Sequence, residues 1–181
     1  SFTRAGVPRV TIPTWAPIKA GVLFASKNAD WIAQHAPTHS KTRLIQGQRI
    51  GKSGTLVFIE DETRDTAISR IKQMAITITI PPDSHFDDET QQVAAKACER
   101  YLRLEAEQLL PGRLAQLARK HGIDYGSVSV KRLQARWGSC SSSRDIVLNY
   151  FLMQLPWHLI DYVLLHELNH NIPYTNHPHE S

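Results

Sequence analysis

The sequence predicts an α+β fold, with a β-rich N-terminal part over residues 1–85 and a mixed helix-and-strand part over 86–181. The two are expected to form one compact unit. Three observations carry this. MAITITIPP, residues 74–82, alternates apolar and polar positions as a half-buried strand does. After Asp87 the apolar spacing lengthens to that of a helix. Near the C-terminus, His166-Glu167-Leu168-Asn169-His170 sets two histidines four apart at the end of an apolar helical run.

Composition bounds the rest. With 181 residues, 41% hydrophobic and 21% charged, the chain has ordinary globular make-up and enough length for a sizeable core. The net charge of +4 is mildly basic, and no run of five Lys or Arg forms a patch. That permits an anionic partner without requiring one. Two cysteines in unrelated contexts make no disulfide framework and no thiolate metal site, which points to a reducing, cytoplasmic setting. Pro8, Pro13, Pro17 and Lys19 interrupt any signal-peptide core, and no apolar stretch reaches the ~18 residues of a membrane helix. The chain starts at Ser1 and not Met, which suggests a missing leading segment.

In chain order, VPRVTIPTW is β-like but broken by prolines. IKAGVLFASKNADWIAQHA turns helical towards its end, with Asp30 as an N-cap before Trp31, Ile32 and His35. RLIQGQRIGKSGTLVFIEDE reads as a hairpin with TLVFI as one arm. Its GQRIGKS imitates a phosphate-binding loop. However, only three residues, Gln48 to Ile50, separate Gly47 from Gly51, where that loop needs four, and a strand follows where a helix should. Lys52 is therefore expected to be a solvated turn residue.

Ile76, Ile78 and Ile80 share one face of the next strand. DDETQQVAAKACERYLRLEAEQL reads as a long amphipathic helix on Val93, Ala97, Tyr101 and Leu104, ended by Pro111-Gly112. RLAQLARKHG is a second helix closed by Gly122. SVSVKRL and DIVLNYFL read as strands joined through RWGSCSSSR. Pro156 opens a last helix that Pro173 ends.

That last helix carries the chemistry. Four residues turn an α-helix by 400°, so His166 and His170 lie about 40° apart and one turn along. Both imidazoles can reach one tetrahedral Zn²⁺ at ~2.0–2.1 Å. Glu167 sits about 100° round, poorly placed as a third equal ligand and well placed to take a proton from an attacking water. Leu159, Val163, His166 and His170 share a stripe, so the histidines are expected to continue an inward-facing surface. At this chain's His and Glu content, chance yields such a motif about 0.02 times, which makes it a specific signal.

RWGSCSSSRDIVLNYFLMQLPWHLIDYVLLHELNH, residues 136–170, closely resembles the YgjP-like metal-dependent hydrolases, relatives of the SprT-like zincin metallopeptidases. Arg-Trp-Gly-Ser-Cys, Leu-Asn, Leu-Pro, Ile-Asp-Tyr-Val and His-Glu-Leu-x-His occur in the family's order, and Trp31-Ile32 fits its layout more loosely. The resemblance implies a zincin-like metallopeptidase fold with the HExxH helix packed under a small mixed sheet. It implies zinc as cofactor, His166 and His170 as ligands, and Glu167 as the catalytic residue. The family's third ligand is a histidine in a downstream Asn-His pair, here Asn176-His177. Six residues stand between His170 and His177 where the family has five, so His179 and Glu180 stay open as alternatives. The family's following Phe-Trp pair and final helix are not in this chain.

The function expected is zinc-dependent hydrolysis of a peptide or protein at a peptide-type carbonyl. Hydrolysis of a nucleoside triphosphate, or a nucleic-acid-associated module with a structural zinc, are the alternatives. No membrane role is expected, and oligomeric state is not legible. Around the helix, Trp137-Gly138-Ser139-Cys140 reads as a structural turn holding a small buried thiol. Arg136 serves either a substrate anion or Asp145 across the hairpin. IVLNY is a candidate edge strand over the site, able to pair with an extended peptide. Tyr150, His158 and Tyr174 are candidate oxyanion donors.

Overall fold

The computed structural model describes residues 10, 18–30, 32 and 43–170. The chain divides into two compact units, Ser1–Arg43 and Leu44–Ser181. The strands between residues 49 and 80 and the helices after residue 87 belong to the same unit.

The first unit holds helix α1, Ile18–Lys27. Helix thus begins twelve residues before Asp30, which itself has helical backbone and does not cap a later helix. Asn28 ends α1 by donating its side-chain amide to the carbonyl of Phe24 at 2.8 Å. Trp31 and His35 lie outside the described residues.

The second unit opens on a four-stranded sheet in the order β1-β2-β4-β3. Its strands are β1 (Arg49–Ile50), β2 (Gly54–Glu60), β3 (Ile68–Lys72) and β4 (Ala75–Ile80). β1 and β2 form the expected hairpin. β4 runs parallel to β2 and antiparallel to the edge strand β3. Leu56, Ile76, Ile78 and Ile80 are fully buried on one face, as the alternation of β4 requires. ISRIK, which forms β3, escapes a periodicity reading because its alternate residues are only half covered.

Helix α2 spans Asp88–His121 without interruption. The expected break at Pro111-Gly112 does not occur. An interior proline costs about 3 kcal/mol through its missing donor and its ring. Here the buried stripe of Tyr101, Leu102, Ala106 and Leu110 continues through Leu114 and Leu117. Burying each leucine contributes roughly 1.5–3 kcal/mol, enough to carry the helix through. The stripe is also rotated from the one expected, since Ala94 and Leu102 are buried while Leu104 is half exposed. Gly122 closes the helix in the left-handed region (φ +65°), with the amide of Ile123 reaching the carbonyl of Ala118 at 3.0 Å.

α2 touches β1, β3 and β4, then β5 of a second sheet, and finally helix α3, so it is the unit's spine. The second sheet has the order β5-β7-β6, from β5 (Val128–Lys131), β6 (Gly138–Cys140) and β7 (Ile146–Asn149). β5 and β7 are parallel, and β6 is antiparallel to β7. GSC is therefore a strand inside what reads as a connecting turn. Conversely, YFLMQ is a 3₁₀ turn and not a continuation of β7, because Asn149 accepts from the amide of Phe151 at 3.2 Å and turns the chain. α3, Trp157–Asn169, follows Pro156. Among the described residues no helix is long and apolar enough to cross a membrane.

Candidate metal centre

α3 delivers His166 and Glu167 in its last turn, and His170 is its C-cap. The helix ends there, so the stop expected at Pro173 falls outside the described residues. The two imidazoles converge, with His166 Nε2 and His170 Nε2 3.1 Å apart and the rings edge to face at 88°. Two nitrogens sharing one tetrahedral ion at ~2.0–2.1 Å stand roughly 3.3 Å apart, so the pair fits a single Zn²⁺. Burial, and then the neighbouring His170, lower the pKa of His166 and favour the neutral imidazole that a metal needs. Tyr162 stacks alongside His166, at 6.4 Å between ring centres.

The helix is rotated from the expected orientation. Its buried positions are Leu159, Ile160, Leu164, Glu167 and Leu168. His166 and Val163 are half-buried and His170 is exposed, so the histidines border the buried stripe and do not continue it. Glu167 lies within that stripe at 6% exposure. Burial raises its pKa to about 7, opposed by the nearby Arg136 cation. Among the described residues no donor hydrogen-bonds its carboxylate.

β6 forms the wall against which Glu167 lies. A Cβ on Gly138 would stand 2.7 Å from Glu167 Cγ and 2.8 Å from its Oε1. Asn149, buried at the end of β7, fixes the approach to that wall. Its side-chain amide donates to the carbonyls of Leu133 and Arg136, both at 2.9 Å, and its own N–H donates to Trp137 O at 2.9 Å. Neither residue stood out in the sequence as part of the site. The available signal was an asparagine ending an apolar strand, a position that residue type disfavours unless its side chain has work.

Other expectations resolve here. IVLNY is not the edge over the site, because β7 is the central strand and the edge touching α3 is β6. Arg136 does not pair with Asp145, which instead accepts from Ser127 N, Ser127 Oγ and Ser143 Oγ at 2.8, 2.6 and 2.8 Å. Cys140 is half-exposed on β6, not buried in a turn, and donates weakly to Ser141 O at 3.4 Å. The Tyr150 hydroxyl is committed to Glu99, and His158 stands eight residues before His166, ~12 Å along the axis. Among the described residues no group of three or more His, Cys, Asp or Glu converges on a point. The candidate third ligands His177, His179 and Glu180, and Tyr174, lie outside the described residues.

Lys52 is not a solvated turn residue either. Its ammonium donates to Leu155 O and lies 5.1 Å from the centre of the Trp157 ring. The Gly51-Lys52-Ser53 turn does cradle an anion, but that anion is the protein's own. Lys52 N and Ser53 N each donate to the buried Glu105 carboxylate at 2.8 Å, and Tyr101 Oη donates to it at 3.2 Å.

A protein-family model described as YgjP-like, metallopeptidase domain, matches residues 2–180. No curated protein and no solved structure matches the chain. Since the match spans nearly the whole length, the chain belongs to the YgjP-like metallopeptidase-domain family.

Proposed function

We propose that this protein is a zinc-dependent hydrolase acting on a peptide-type carbonyl, in a zincin-like arrangement. One observation carries the reading: two imidazole Nε2 atoms 3.1 Å apart beside a buried carboxylate that has no hydrogen-bond donor among the described residues. His166 and His170 would hold Zn²⁺, with His177 as the third ligand. When bound, the metal supplies a Lewis acid that polarises the carbonyl and acidifies water.

The chain's own residues do the rest. Glu167, held against Gly138, accepts a proton at a carboxylate oxygen as water attacks, then returns it to the leaving amine. The nearby Arg136 guanidinium favours the carboxylate form of Glu167 against the burial that opposes it. Among the described residues β6 has a strand partner on one side only and stands beside α3, so an extended substrate can pair with its outer edge.

The test is metal analysis of the purified chain, followed by hydrolysis assays on peptides and on nucleoside triphosphates. Zinc in stoichiometric amount is expected. His166→Ala should lose it. Glu167→Gln should keep it while losing peptide hydrolysis by about 10²–10⁴-fold. Full activity in Glu167→Gln, or turnover confined to nucleotides, would overturn the reading.

A further inference from the structure

At the opposite edge of the second sheet, α2 and β5 form a cleft of about 480 Å³, within the usual ligand range of roughly 300–1,000 Å³. Two independent features of this cleft point to the same occupant.

The first is charge. Lys96, Arg100 and Arg103 from α2, and Lys131 and Arg132 from β5 and just beyond it, line the cleft with a single carboxylate, Glu99. Glu99 is already satisfied by Arg132 at 2.9 Å and by the Tyr150 hydroxyl. Arg103 is paired with Glu107 at 2.8 Å. Lys96, Arg100 and Lys131 have no ion pair among the described residues. A small cleft with three unmatched cations attracts an anion.

The second is backbone. Among the described residues β5 is an edge strand. Ile146 N donates to Ser127 O, so the parallel ladder to β7 engages Ser127, Ser129 and Lys131. The N–H and C=O of Val128 and Val130 therefore point away from β7, and Val130 lines the cleft. A strand edge with unpaired groups is a template for another extended chain.

We propose that this cleft docks an extended acidic segment of a partner polypeptide, which adds to the edge of β5 while its carboxylates meet Lys96, Arg100 and Lys131. Nucleic acid would satisfy the cations but has no use for the strand edge. A polypeptide alternating acidic and apolar residues satisfies both, because its side chains alternate in direction while its backbone pairs. The inference concerns the edge opposite β6 and does not depend on hydrolysis.

The test is fluorescence anisotropy of the intact chain with a labelled octapeptide alternating Glu and Val. Three comparison ligands are used: the same peptide with Lys for Glu, the acidic peptide N-methylated at alternate residues in each of the two registers, and a single-stranded oligonucleotide of equal charge. The acidic peptide should bind, weaken with salt and lose affinity on N-methylation in one register, while the Lys peptide should not bind. Arg100→Glu with Lys131→Glu should weaken binding at least about tenfold, and Glu167→Gln should leave it unchanged. Equal or tighter binding of the oligonucleotide, unchanged binding of both N-methylated peptides, or indifference to the charge reversal would each overturn the proposal. The N-methylated arm uses the unaltered protein, so misfolding of the double variant does not protect the idea.

Discussion

Glu167 and Gly138 stand so close that no side chain fits between them: a Cβ on Gly138 would lie 2.7 Å from Glu167 Cγ and 2.9 Å from its carboxyl carbon. The glycine in Trp-Gly-Ser-Cys is the seat of the acidic residue between the two histidines. Gly138→Ala should push the carboxylate from its place while leaving both imidazoles where they are. Hydrolysis should fall by about 10²-fold, as for a misplaced base, with stoichiometric metal retained. Assaying metal content and turnover on the same sample checks this, and an active Gly138→Ala would show that the contact is dispensable.

Asn149 supports that wall from behind. Asn149→Ala strips donors from the carbonyls of Leu133 and Arg136 and removes the cap on Phe151 N. With the residue 5% exposed, the loss should be about 2–4 kcal/mol in urea unfolding. Asn149→Asp keeps the cap but sets a carboxylate oxygen against the two carbonyls that the amide now serves, so it should be at least as destabilising as alanine.

The Glu105 nest joins the β1–β2 hairpin to α2. Gly51 has φ +64°, and a Cβ there would come within 2.0 Å of Glu105 Oε2. Gly51→Ala should therefore cost at least ~2 kcal/mol. Glu105→Gln keeps the shape with one acceptor and should cost less, about 1–2 kcal/mol. The order of the two melting temperatures is the readout.

Asp145 gives the fold an acid-sensitive point. Hydrogen bonds from the Ser127 side chain and backbone, then from Ser143, hold its pKa at about 2, below the ~3.9 of an unfolded aspartate. A depressed folded-state value means that its contribution is present above about pH 4 and is lost as pH falls towards 2. Asp145→Asn should be less stable than wild type at pH 7, and the gap should close over that window. A gap independent of pH would show that the charge of Asp145 is not what the three donors recognise.

Much of this was legible without a fold. Ile76, Ile78 and Ile80 announced a strand face, the glycines at 47 and 51 a hairpin, and Gly122 a helix end, because each depends on a few consecutive residues. The convergence of His166 and His170 is of the same kind, since a spacing of four on a helix places two side chains together whatever surrounds them.

The rest depended on partners far along the chain. Pro111 broke no helix because Leu114 and Leu117 had a core to enter, which local propensity does not register. Lys52 and the turn around it faced Glu105, 53 residues away in sequence. β6 became a strand because β7 stood ready to pair with it. Above all, the sequence by itself determined that Glu167 would neighbour two histidines, while only the tertiary structure decided that it would be the buried one of the three. Helical geometry sets the angle between side chains, but which angle faces the protein is set by where β6 lies, and Gly138 is what lets it lie there.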